Sequence, residues 1–224
     1  MQELVILDLD GVIINGQSQQ FFLNYLFKKK MVGLFFYLKL SFWFVLYKLG
    51  IIKDPERIMK ASYSFLKGRN CEEIAAIVGD FFSEQLKKFI FSEIIGIIDE
   101  HNRKNRELLI ASNAVDFIVK RIADFLGIKN YIATKLESAG GKFSGEISGE
   151  IVYGEKKAGA VRSFIKENNL SLSGSWAYTD HFSDLPLLFL VDNPRVVNPD
   201  KFLLFEARKR NWPILKFKNI ISTK

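Results

Sequence analysis

Cysteine is nearly absent from this sequence: Cys71 is the only one in 224 residues. A lone thiol excludes an internal disulfide and a cysteine-built zinc site, and it fits a reducing cytoplasm better than oxidising export. A secretory leader is not expected, because Glu3 and Asp8 interrupt the early apolar stretch. Acid is missing altogether from Gly11 to Lys53, a window that holds six lysines. Internal repeats and low-complexity segments are missing too. The chain carries 32 Lys and Arg against 25 Asp and Glu. A net charge of +7 spread over this length does not mark a nucleic-acid binder, and no nucleic-acid partner is expected.

What is present is an ordinary globular composition. Hydrophobic residues make up 48% and charged residues 25%, which rules out wholesale disorder. The length corresponds to about one and a half domains and allows a real core, with roughly 70% of the unfolded surface buried. Phenylalanine is abundant, at 21 residues, and concentrated in the acid-free window.

Several short apolar runs read as buried strands. Leu4 to Leu9 ends in acid and leads into Asp10-Gly11, and residues 107 to 112 form a second run ending at Ser112. Val115, Ile118, Val119, Ile122 and Leu126 then follow helical spacing up to Gly127. Tyr131 to Thr134 reads as a third strand, and Gly140 to Val152 alternates between glycines as a hairpin does. Lys157 to Asn168 reads as a helix with Ala158, Val161, Phe164 and Ile165 inward. Ser175 to Asp180 is a further strand ending in acid, and residues 195–197 and 213–217 close the series around a helix. Alternating strands and helices imply a mostly parallel sheet, whose ligands sit at the carboxyl ends of the strands. Residues 17 to 100 break the alternation and read as consecutive helices over 18–30, 32–49, 55–67 and 72–95, the third opened by Asp54-Pro55. A helical block between the first two strands would lie over the strand ends as a lid.

One edge of such a sheet collects the chemistry. Asp8 and Asp10 share one side of the first strand's end, with Ser112, Asp180 and Asp184 nearby and Lys157 opening a helix. Four acids in a small volume repel one another unless protons or a divalent cation intervene, and hard oxygen ligands suit Mg²⁺. A hydroxyl and a lysine beside a metal suit a phosphoryl group.

At these residues the chain resembles the haloacid dehalogenase superfamily, in particular its phosphoserine-phosphatase-like subfamily. The matching stretches are Leu7-Asp8-Leu9-Asp10-Gly11-Val12, Ile110-Ala111-Ser112-Asn113, Tyr153-Gly154-Glu155-Lys156-Lys157 and Tyr178-Thr179-Asp180-His181-Phe182-Ser183-Asp184. The resemblance implies a Rossmann-like three-layer α/β/α core, residues 1–16 and 101–224, and an inserted helical cap, residues 17–100. It also implies an Mg²⁺-dependent phosphomonoester hydrolase. Asp8 would be the nucleophile that becomes an aspartyl-phosphate, and Asp10 the general acid and base. Ser112, Asn113 and Lys157 would bind phosphate, while Asp8, Asp10 through its carbonyl, Asp180 and Asp184 would serve the metal. The adjacent Lys156 leaves the phosphate lysine open, although Lys157 better matches the family's apolar offsets. Val12 stands where the family usually has threonine.

Plainer readings exist for several of these residues. Ser112 also stands where it would cap a helix starting at 114, His181 reads as a loop histidine, and His101 as a structural or solvated one. The aromatic segment carries a narrow polar stripe of Lys30, Tyr37, Ser41 and Lys48, with Lys39 opposite. A single span through it would separate Asp8 from Asp180 across the bilayer, so it is not expected to cross a membrane. It either packs internally or lies on the inner membrane surface. With no acid in the early insertion to bind an ammonium group, a lipid or other hydrophobic phosphate is the expected substrate. The alternatives are a small-metabolite phosphate such as phosphoserine, or a non-catalytic lipid- or protein-binding role.

Overall fold

The computed structural model describes residues 2–48 and 55–221. One sheet contains β1 (Glu3–Leu7), β2 (Glu107–Val115), β3 (Asn130–Ala139), β4 (Lys142–Ser148), β5 (Ser171–Thr179), β6 (Asn193–Val197) and β7 (Ile214–Leu215). Their order across the sheet is β4-β3-β2-β1-β5-β6-β7. Every neighbouring pair is parallel except β3 with β4. β1 therefore lies inside the sheet, its Leu7 in register with Ile110 of β2 and Tyr178 of β5. A strand flanked on both edges and covered on both faces must be apolar throughout, and Leu4, Val5, Ile6 and Leu7 are all fully buried.

The pleat divides those side chains between two cores. Val5 and Leu7 pack with Ile110, Tyr178 and Val197 on one face. Leu4 and Ile6 pack with Leu109, Ala111, Ala177 and Val196 on the other. The second face is covered by α7 (Glu155–Glu167), α8 (Leu185–Leu188) and α9 (Lys201–Lys209) through Val161, Leu187 and Leu203. The first face receives α5 (Ser92–Arg103) through Ile94 and Ile98, and α6 (Asp116–Leu126) through Ile118, Val119 and Ile122. This is the expected three-layer α/β/α arrangement. Gly127 ends α6 in the left-handed conformation its position requires, at φ 68°.

Between β1 and β2 stand α1 (Ser18–Lys28), α2 (Leu34–Lys48), α3 (Pro55–Tyr63) and α4 (Cys71–Glu84), followed by α5. The expected boundary at residue 100 falls within α5. Phe22 of α1 meets Phe81 of α4 and Phe117 of α6, with ring centroids 5.1 and 6.1 Å apart. The helical insertion and the sheet face thus share one apolar cluster.

Local boundaries differ from the sequence reading where burial overrides periodicity. The helix expected over 72–95 is two, because the chain turns at Gln85 and runs through a short 3-10 segment, Leu86–Phe89. Leu86, Ile90 and Phe91 are buried there, and Phe89 stacks on Phe21 at 4.3 Å. The third helix stops at Tyr63 and continues as a 3-10 turn, Ser64–Leu66, while the expected cap Asp54 and residue 49 lie outside the described residues. The third strand does not end at Thr134 but runs on to Ala139 and forms the first arm of the hairpin. Gly140 and Gly141, both at positive φ, make its two-residue turn.

His101, expected to be structural or solvated, is a buried tie between α5 and β5. Arg106 Nη1 donates to its Nδ1 at 3.1 Å, which leaves the ring proton on Nε2, 2.9 Å from the Tyr178 hydroxyl. Burial, reinforced by the Arg106 guanidinium, pushes its pKa down to about 4. A base depressed in the folded state stabilises the fold above its unfolded pKa, about 6.5, and loses that contribution as pH falls towards 4. The difference in unfolding free energy between the wild type and His101→Gln should therefore shrink by roughly 3 kcal/mol between pH 7 and 4. Urea titrations at a series of pH values measure it.

Candidate functional site

The site begins where β1 ends. The Asp8 amide donates to the Tyr178 carbonyl at 3.0 Å, the last rung before the chain leaves the sheet. A tight loop follows, closed by the Gly11 amide donating to the Ile14 carbonyl and the Ile14 amide to the Leu9 carbonyl, each at 2.8 Å. Gly11 sits at φ +77°, and a Cβ there would fall on Oδ2 of Asp180. The loop can pass so close to that carboxylate only because residue 11 has no side chain. Asp10 Oδ1 accepts the Ser18 amide at 2.8 Å, at the N-terminus of α1.

Lys157, in the first turn of α7, is the buried cation of this edge. Its Nζ stands 3.2 Å from Asp8 Oδ1 and 2.8 Å from Asp184 Oδ2. Lys156 instead reaches Glu150 near the surface, at 3.8 Å. The structure therefore places Lys157, and not Lys156, with the acids. Burial opposes its charge, but Asp184 and Asp8 more than offset that and hold its pKa above the ordinary value.

The carboxylates show the reverse imbalance. Burial, against the pull of Lys157, pushes Asp8 up to about 8, with Asp184 and Asp10 adding to the shift. Burial raises Asp10 to about 6, against the opposing Ser18 hydrogen bond. Asp180 is raised well above its ordinary value by burial and by the charges of Asp8, Asp184 and Asp10. Four acids, three of them buried, thus share one lysine, and all-oxygen donors short of positive charge suit a hard divalent cation. Among the described residues no three His, Cys, Asp or Glu side chains stand together closely enough to hold a metal ion as they are placed. Lys157 engages both Asp8 and Asp184, which leaves Asp180 as the acid of this edge with no direct contact to the lysine.

The second strand does not end at Ser112 as expected but runs on to Val115. Ser112 is fully buried within it, and its Oγ accepts the Ala114 amide at 3.1 Å. It does not cap a helix at 114, because α6 starts at Asp116 with Val115 before it. The Asn113 carbonyl accepts Thr134 Oγ1 at 2.9 Å and Gln19 Nε2 at 3.5 Å. His181 is a loop residue, as expected, with its Nδ1 accepting the Ser183 amide at 3.2 Å. Sequence reasoning missed Ser18, Thr134 and Tyr63. Ser18 carries the amide that orients Asp10, and a serine opening a helix seven residues after Gly11 was the available signal. Thr134, in β3, also accepts the Val152 amide at 3.2 Å and so links β2 to the segment between the hairpin and α7. Tyr63 is buried and feels the charges of Asp10 and Asp116. It lines a cavity of about 20 Å³ with Gln19, Phe22, Leu40, Phe44 and Phe65. That space, between α1, α2 and α3, holds about one water.

Residues 5–188 match the family model described as haloacid dehalogenase-like hydrolase. The chain is similar to the inhibition of morphological differentiation protein of Streptomyces azureus, at 31% identity over 213 residues covering 94% of this chain and 76% of that one. It is similar to a histidinol-phosphatase of Neisseria meningitidis, at 30% identity over 230 aligned positions covering 97% of this chain and all of that one. A phosphoserine phosphatase solved as an analogue of its phospho-aspartyl intermediate shares the fold, with a TM-score of 0.70 at 16% identity and coverage of 98% and 95%.

Gly11→Ala must displace either the loop or the Asp180 carboxylate and also holds an alanine at positive φ. It should lower unfolding free energy by about 2 kcal/mol in urea, whereas Gly159→Ala, with open space around it on α7, should not.

Proposed function

The chain belongs to the haloacid dehalogenase-like hydrolase family and is a phosphatase of that family, and from this premise we propose an Mg²⁺-dependent phosphomonoester hydrolase that works through an aspartyl-phosphate on Asp8. The observation that carries the reading is the placement of Lys157 against Asp8, 3.2 Å away. A carboxylate can attack phosphorus only if the negative phosphoryl oxygens are drawn to positive charge beside it.

An Asp8 oxygen attacks phosphorus as the ester oxygen leaves, and Asp10 supplies that oxygen's proton. Asp10, held by the Ser18 amide, then takes a proton from a water that attacks the phosphorus of the aspartyl-phosphate. Inorganic phosphate leaves, and both carboxyl groups return to their starting states. The Ser112 hydroxyl, the Asn113 side chain and Lys157 hold phosphoryl oxygens. Bound Mg²⁺, on Asp8, Asp180 and the Asp10 carbonyl with Asp184 supporting, would supply the positive charge that lets two anions approach. Helices α1 to α4 serve as a cap, and residues 1–16 and 101–224 form the catalytic core.

A lipid or other apolar phosphomonoester is the proposed substrate class. The acid-free stretch from Gly11 to Lys53 gives no early partner for a substrate ammonium group and is rich in Phe and Leu. A small-metabolite phosphate is the second reading, favoured by the histidinol-phosphatase named among the relatives.

Asp8→Asn should abolish p-nitrophenyl phosphate turnover with the circular dichroism spectrum unchanged, and Asp10→Asn should lower kcat by about 10²–10⁴. A wild type inert with Mg²⁺ would overturn the hydrolase in favour of a binding relative. A panel of lipid and metabolite phosphates separates the two substrate classes. Mg²⁺ should also raise the melting temperature, more at pH 8 than at pH 5 because the acids must ionise to bind it. At a hundred times its Kd the gain is about 2.7 kcal/mol.

A further inference from the structure

Helix α2 is apolar on the side that faces the protein and apolar again on the side that does not. At 100° per residue, Trp43, Phe36, Leu40 and Phe44 occupy one arc of about 100°. Leu40 is buried there, and the other three pack against the core. The opposite arc, of about the same width, contains Leu34, Leu38, Val45, Phe42 and Phe35. Phe35 is 83% exposed, Phe42 60%, Leu34 59%, Leu38 55% and Val45 52%. Single exposed apolar residues are common on any protein, but an unbroken stripe of five along three turns of one helix is not.

The charge around the stripe names its partner. Lys39, at its border, is exposed, with its Nζ over the Trp43 ring at 4.9 Å. Lys28, Lys29 and Lys30, all exposed, end α1 a few residues before Leu34. Glu84 of α4 takes Lys29 at 3.1 Å, and no acid lies in the sequence between Asp10 and Asp54. A stripe of Phe and Leu bordered by lysine repels a cationic surface and complements an anionic one that has an apolar interior. No described helix is long and apolar enough to cross a bilayer, so the geometry is that of a helix lying in the interface.

We propose that the outward face of α2 docks this protein on an anionic lipid bilayer, with Phe35, Leu38 and Phe42 entering the acyl boundary and the neighbouring lysines meeting phosphate headgroups. Docking stands apart from the proposed reaction, because vesicle binding is read without turnover. In flotation assays, the full chain should rise with vesicles of phosphatidylcholine and phosphatidylglycerol at low salt. It should bind pure phosphatidylcholine vesicles roughly tenfold less and leave the anionic vesicles as salt increases. Phe35→Ser/Leu38→Ser/Phe42→Ser, all at exposed positions, should keep the melting temperature and lose at least about tenfold in binding. Lys28→Glu/Lys30→Glu should lose the preference for anionic lipid. The proposal is overturned if the wild type stays in the dense fraction with anionic vesicles, or if the triple variant floats as the wild type does. It is equally overturned if the triple substitution converts a dimer to a monomer without any vesicle binding, since the stripe would then pair two copies of the chain.

Discussion

The two contacts of Lys157 Nζ, with Asp8 and Asp184, are the constraint around which the rest of the edge is organised. One ammonium group cannot neutralise three buried carboxylates and the half-buried Asp180, and unpaired negative charge away from water is costly. Every nearby backbone feature eases part of that cost. The Leu9 amide donates to Asp8, the Ser18 amide to Asp10, and the missing Cβ at Gly11 makes room for Asp180. A site balanced in this way is charged, rigid and short of positive charge, which is the condition a phosphoryl-transfer site with a bound cation must meet. Buried networks of this kind bring desolvation costs that packing elsewhere must offset, and the two continuous apolar clusters on either face of the sheet supply that packing.

Much of this edge is legible in the sequence, because strand-end acids are local features. A run such as Leu4 to Leu7 has to be a doubly covered strand, so the acids that follow it have to emerge at its carboxyl end. The choice between Lys156 and Lys157 was open at that level, since adjacent helix residues differ only by 100° and the packing of α7 decides which points inward. Ser18 escaped notice for a related reason. Its contribution is a backbone amide, and residue type says little about where an amide points. The break between α4 and α5 has no proline or glycine to announce it, and only the need to bury Leu86, Ile90 and Phe91 turns the chain there. The hairpin was misplaced because β3 is both the last parallel strand on that side of the sheet and the first arm of an antiparallel pair, a double use that periodicity does not encode.

Helix α2 was ambiguous in the sequence because its composition satisfied two requirements at once. Apolar residues on all sides but a narrow polar stripe are consistent with burial and with a lipid surface, and periodicity cannot separate these when the polar face is so narrow. The three-dimensional arrangement divides the helix into an inner half that packs on α1 and α3 and an outer half that packs on nothing described. Tyr37, expected in the polar stripe, is stacked on Phe27 at 4.2 Å instead, so even its ring joins the apolar side.

The bond between the Ser18 amide and Asp10 joins the first residue of the helical insertion to a carboxyl group of the sheet edge. The start of the insertion and the Asp10 carboxyl group are therefore mechanically one piece at that point. A swing of α1 about its own N-terminus would break the grip on Asp10, so any opening that keeps this acid aimed must pivot further along the chain, beyond residue 18. Any displacement of the insertion that keeps the bond intact has to be taken up within the insertion itself, where α2 packs on α1 and α3.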